Sequence, residues 1–249
     1  MLFWRCTESP AVSPAAFSDG RLHVTANPSV NRPPGGGTTV EPKPLGLASD
    51  RDGFFYVSSR YVSSSPAPLL LYLHGATGTG QRGIQRWIEI AEQTGTIVVA
   101  PDSRSSTWGV VSGDEAADIA FLDLALERIL GLYSIDAHRM YVAGFSDGAS
   151  AALSLGLVNG DLFAAIAAFS PGFVQLSSPP NGRPRVFISH GENDSILPVE
   201  RCGRRIAREL RDAGYTVEYQ EFDGDHELPP AIRDAGLQWL LSSGMRRET

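Results

Sequence analysis

The stretch Val142–Ser150, "VAGFSDGAS", sets a serine between two glycines directly after an apolar run. Serine and glycine both favour turns, so a G-x-S-x-G match alone does not separate a nucleophile from a hydroxyl in a loop. The flanks decide. Upstream, Met140 to Ala143 reads as a buried strand; downstream, "DGASAALSLGLV" reads as a small-residue helix. Strand, sharp turn and helix put Ser146 in the setting that an exposed nucleophile requires. Glycine at 144 and 148 then has a physical reason, since any larger side chain would collide with the adjoining strand or helix. Ala149, Ala151 and Ala152 let the helix lie close to a sheet, and its N-terminus favours the negative charge that develops during acyl transfer.

Working outward, the same alternation fills the chain. Continuous apolar runs at "LLLYL" (69–73), "TIVVA" (96–100), "MYVAG" (140–144), "AAIAAF" (164–169) and "RVFIS" (185–189) suit central parallel strands covered on both faces. Between them lie helical stripes: Ile84, Trp87, Ile88 and Ala91; Ile119, Leu122, Leu126, Ile129 and Leu130; Cys202, Ile206 and Leu210. The last, Ile232, Ala235, Trp239 and Leu240, starts through Pro229-Pro230. The spacing predicts an α/β fold, a mainly parallel sheet with helices on both faces. "RLHVT" (21–25) alternates like an edge strand that "FFYVS" (54–58) would pair with, and residues 26–48 form a Pro/Gly-rich loop. Ligands in such folds bind where loops leave the carboxyl ends of the strands.

A serine hydroxyl needs a base, and the chain has five histidines. His23 in the early strand and His138 in a loop at a strand's amino end face away from that edge. His190 ends the run 185–189 and is expected to shape the turn that follows. His226, in "DGDHELPP" between an expected strand at 216–222 and the last helix, is the candidate base. Asp194 in "SHGENDSILP" is the candidate acid, giving the chain order Ser, Asp, His; Glu192, Asp223 and Asp225 are the alternatives. The oxyanion requires two backbone donors, for which the amides of Asp147 and of Ala76, in the loop "HGATGTG", are the candidates. Trp108, Phe173 and Leu197 are candidate pocket walls. Arg104 reads as a loop anchor.

The 249 residues and their apolar share suit one globular domain, residues 1–249, with a ragged extension over 1–20. No stretch is long and apolar enough to cross a bilayer. A net charge of −7, with basic residues clustered only at Arg246-Arg247, argues against phosphate-driven nucleic-acid binding. "MLFWRC" is interrupted by Arg5 and Glu8 before a signal-peptide core develops, so a cytoplasmic location is expected. Two cysteines, Cys6 and Cys202, make neither a disulfide framework nor a metal site, and no motif points to a metal or organic cofactor.

The pieces "LLLYLHG", "VVAPDSRSSTW", "VAGFSDGAS", "AFSPGF", "SHGENDSILP" and "FDGDHELP" together resemble the α/β-hydrolase superfamily from roughly Leu69 onward. Within it they are similar to bacterial phospholipase/carboxylesterase-like serine esterases and to the catalytic domains of polyhydroxybutyrate depolymerases and feruloyl esterases. The resemblance implies a triad of Ser146, Asp194 and His226, oxyanion donors at Ala76 and Asp147, a small-molecule ester substrate and little or no cap domain. The stretch "SPGFVQLSSPPNGRP" (170–184) leaves room for a loop but not for a helical lid, so a short-chain carboxylesterase is expected, with polyester depolymerase, thioesterase, acyltransferase and a non-catalytic binder as alternatives. Two departures concern substrate preference: "HGAT" where many relatives carry a second glycine, and Gly109 where an acidic residue is common.

Overall fold

The computed structural model describes residues 18–24, 37–39 and 41–242. Their centre is an eight-stranded sheet in the order β1-β2-β4-β3-β5-β6-β7-β8. The strands are β1 (Lys43–Pro44), β2 (Gly53–Val57), β3 (Ala67–Leu73), β4 (Ile97–Pro101), β5 (Ile135–Phe145), β6 (Ala165–Phe169), β7 (Arg185–Gly191) and β8 (Val217–Phe222). From β4 to β8 all pairs are parallel, while β1 and β2 pair antiparallel at one edge. Every residue of β3, β4 and β6 is buried, as runs apolar on both faces require.

Helices cover both faces, and each face has its own core. Leu69, Leu71, Val99 and Val142 point to one side, where α3 (Gly109–Ser112), α4 (Ala116–Leu132), α5 (Asp147–Val158) and α6 (Gly203–Asp212) lie. Leu70, Tyr72, Val98 and Tyr141 point to the other, against α1 (Gly80–Gln85), α2 (Ile88–Thr94) and α7 (Pro230–Leu241). Strict period-two alternation along each strand builds both layers from one sequence. α5 is buried along its whole length, and a Cβ on Gly156 would press on Ile166, so the small residues bring this helix onto the sheet.

Four expectations change. Residues 21–24 form no strand, because side chains take their amide donors: Asn159 Oδ1 accepts from Leu22, and Asp123 Oδ1 from His23 and Val24. Thr25 lies outside the described residues. β2 pairs instead with β4 and with β1, two residues of regular structure inside the expected 26–48 loop. The stripe from Ile84 to Ala91 is two helices, parted where Trp87 sinks fully into the core beside Tyr72 and Phe169. His138 lies within the strand β5, exposed. Cys6 and Arg246-Arg247 fall outside the described residues. Among the described residues no helix is long and apolar enough to cross a membrane.

Candidate active site

Ser146 stands at the junction of β5 and α5 with φ 58° and ψ −121°, a conformation that costs a non-glycine residue about 1–3 kcal/mol. The packing around it explains why the strain persists. A Cβ on Gly144 would overlap the Gly148 carbonyl, and one on Gly148 would overlap the carbonyls of Leu73 and His74. The Ser146 amide donates to the Phe169 carbonyl at 2.9 Å, so the turn is held from the neighbouring strand as well.

The loops after β7 and β8 carry Asp194 and His226 to this turn. His226 Nε2 is 2.8 Å from Ser146 Oγ, and His226 Nδ1 is 2.7 Å from Asp194 Oδ2. With its proton on Nδ1 facing the carboxylate, the ring offers a lone pair to the hydroxyl. Asp194 is buried, and its Oδ1 accepts the amides of Ile196 at 3.0 Å and Leu197 at 2.7 Å. Asp225 does something else: its Oδ1 accepts the amides of Ser195 at 2.7 Å and of His226 at 2.8 Å. It therefore clips the two loops together without reaching the imidazole. Asp223 binds Asn193 across the same gap at 3.1 Å, and Glu192 is exposed.

The loop after β3 packs directly against the serine, for a Cβ on Gly75 would sit 3.4 Å from Ser146 Cβ. His74 organises it. Nε2 accepts from the Ser103 amide at 3.1 Å, so the proton is on Nδ1 and points at the Gly75 carbonyl, 2.8 Å away. Burial pushes this imidazole below its usual pKa, so it stays neutral. Ala76, next to Gly75, is exposed, and Thr77 takes φ 58° while its amide donates to the Ser106 carbonyl at 2.7 Å. At the start of α5, the amide of Asp147 has no acceptor within the helix, and the Asp147 side chain is held by Thr107 Oγ1 at 2.7 Å. Asp147 follows the serine directly, and Ala76 lies in the loop whose Gly75 packs on it.

The pocket residues divide. Phe173 and Leu197 are half-buried in loops that meet: a Cβ on Gly172 would lie 3.3 Å from a Leu197 methyl, and the Phe173 amide reaches Ser150 Oγ at 3.4 Å. Trp108 is 2% exposed, its ring packs on His74 and its Nε1 donates to the His74 carbonyl at 2.7 Å. Its indole N–H thus ties the loop after β3 to the one after β4, and the ring also lines a small cavity with Leu73, Val110 and Leu155. Arg104 is an anchor too, stacked 3.5 Å from the Phe121 ring centroid with its amide on Asp118. Sequence reasoning missed Phe145, whose ring packs against that of His226 at 5.0 Å between centroids. Its signal was an aromatic residue next to the serine, at a position that must point to the opposite face from Gly144.

Sheet order and helical layers give this chain the α/β-hydrolase fold. Two solved structures share the fold: esterase PE8, with a TM-score of 0.61 and 22% identity over 76% of this chain and 97% of that one, and Thermogutta terrifontis esterase 2 phosphorylated by paraoxon, with 0.62 and 17% over 84% and 96%.

Within that class, residues 121–234 match the Phospholipase/Carboxylesterase family model, a span that holds Ser146, Asp194 and His226 but not the loop after β3. A probable feruloyl esterase C of Aspergillus oryzae is 26% identical over 161 residues, 61% of this chain and 58% of that protein. A poly(3-hydroxybutyrate) depolymerase of Ralstonia pickettii is 25% identical over 134 residues, 46% and 28%. The chain spans little more than half the length of the feruloyl esterase relatives it matches.

Proposed function

We propose that the protein is a serine carboxylesterase acting on short-chain esters. The observation that carries this reading is the unbroken hydrogen-bonded chain from Ser146 Oγ through His226 to Asp194, at the carboxyl edge of the parallel sheet. Ser146 Oγ attacks the ester carbonyl as its proton passes to His226 Nε2. Asp194 stabilises the imidazolium, and the amides of Ala76 and Asp147 receive the oxyanion. The imidazolium gives its proton to the departing alkoxide, leaving an acyl-Ser146 ester. Water, deprotonated by the same nitrogen, then releases the acid and restores the hydroxyl.

The esterase names of the relatives support an ester substrate, and one domain carries the whole site in this reading. The segment between β6 and β7, residues 170–184, contains no helix that would close over the serine. An open site leaves a long acyl chain in water, forgoing roughly 0.8 kcal/mol per methylene. Labelling by a fluorophosphonate probe, with hydrolysis of nitrophenyl acetate followed in parallel, tests the proposal: both are expected in the native chain and neither in Ser146→Ala. Turnover by folded Ser146→Ala at near-native rate refutes it.

A further inference from the structure

His190 is the penultimate residue of β7, four residues before Asp194, and its side chain is wholly buried. Its two ring nitrogens are treated very differently. Nε2 lies 2.7 Å from the Leu197 carbonyl and 3.2 Å from Asp194 Oδ2, the oxygen that faces His226. Nδ1 has no hydrogen-bond partner among the described residues, because Gly203 at the start of α6 packs against that edge: a Cβ there would lie 2.7 Å from Nδ1. The proton therefore sits on Nε2, shared between the carbonyl and the carboxylate. Burial, which pushes this imidazole below its usual pKa, is consistent with one proton.

The arrangement closes on itself. Leu197 accepts from His190 through its carbonyl and donates to Asp194 Oδ1 through its amide at 2.7 Å. An aliphatic side chain would fill the same space without stranding a nitrogen, so packing alone does not account for an imidazole here. We propose that His190 is a positioning residue for ester cleavage: its Nε2–H holds Asp194 Oδ2 towards His226 and ties the acid to Leu197, which touches the loop at Gly172. This rests on Asp194 being the acid of the proposed esterase.

The test compares His190→Leu, which has no donor, with His190→Gln, whose side-chain N–H reaches about as far as Nε2. Full-length protein is assayed on nitrophenyl acetate across pH, with melting followed by circular dichroism. His190→Leu is expected to lower kcat about ten- to a hundred-fold, the range found when a group orienting an active-site ligand is removed, with KM little changed. It is also expected to move the acid limb of kcat/KM to higher pH, since Oδ2 loses one of two donors and the more basic carboxylate stabilises the imidazolium. His190→Gln restores both. A folded His190→Leu with native kcat and an unmoved limb overturns the proposal, as does a folded His190→Gln that restores neither. If His190→Leu does not fold, His190→Asn replaces it: its amide is too short to reach Asp194, and native behaviour there overturns the proposal equally. An active Asp194→Asn would instead bring down the reading of the acid itself, whereas inactive Asp194→Asn beside native-like His190→Leu removes only this inference.

Discussion

Asp194→Asn asks the most of the geometry. The carboxylate receives three hydrogen bonds, two from amides on Oδ1 and one from His226 Nδ1 on Oδ2, and His190 Nε2 lies 3.2 Å from Oδ2 as well. An asparagine that keeps its oxygen on the two amides must turn its own NH₂ towards two N–H groups. The conflict at His226 resolves when its proton moves to Nε2, which leaves the ring donating to Ser146 and unable to act as a base. A wrong tautomer of this kind costs about 10⁴ in kcat, or roughly 5 kcal/mol of barrier at about 1.36 kcal/mol per decade. KM for nitrophenyl acetate should change little, because substrate does not touch Asp194. In Asp225→Asn the retained oxygen still accepts from Ser195 and His226, and kcat should stay within about ten-fold, roughly 1.4 kcal/mol. Stopped or steady-state release of nitrophenol, with circular dichroism to show that both variants fold, gives the ranking. A mild Asp194→Asn beside a crippled Asp225→Asn would refute the assignment of the acid and with it the reasoning about tautomers.

Three other outcomes follow from the same structure. Gly148→Ala drives a methyl into two backbone carbonyls that have no freedom to retreat, so urea denaturation should show a loss of about 3 kcal/mol or more; an unchanged midpoint would contradict the packing of the turn. His74 and His190 are both held below their usual pKa by burial, so below about pH 6.5 the unfolded chain takes up protons that the folded chain refuses. Stability should therefore be full above that pH and fall as the solution is acidified towards pH 5, and melting curves of His190→Gln should fall less steeply than those of the native chain over that window. Finally, kcat/KM should decline from nitrophenyl acetate and butyrate to palmitate below its aggregation limit; a palmitate preference would mean that some other segment covers the site.

The parallel part of the fold was legible because a strand buried on both faces leaves an unmistakable apolar run, as at Leu69–Leu73 and Ile97–Ala100. The serine turn was legible because its glycines are required by close backbone: Gly144 by the Gly148 carbonyl four residues on, Gly148 by the carbonyls at the end of β3. The antiparallel edge was not, since alternation in "RLHVT" records only that Leu22 is buried and says nothing of whether Asn159 or a strand takes its amide. Trp108 shows the same limit. Its place after a strand's carboxyl end says nothing of the His74 carbonyl that accepts from its indole. The chain order Ser, Asp, His pointed to Asp194 ahead of the adjacent Asp225, whereas nothing in the sequence showed that Asp225 clips the loops after β7 and β8 together.

Ser146 and His226 differ in how firmly the molecule holds them. Ser146 leaves β5, which has β3 on one side and β6 on the other, whereas His226 follows β8, which among the described residues pairs with β7 alone and is partly open to solvent. α7, which the His226 loop leads into, packs chiefly on β6 and β7. Opening of the β8 margin would thus carry the imidazole off the serine while the central strands stay folded. Competence for catalysis and global foldedness are separate equilibria in such a molecule, and in urea the first should vanish at lower concentration than the second. Amide exchange would register the same hierarchy, β8 trading its protons well before β5.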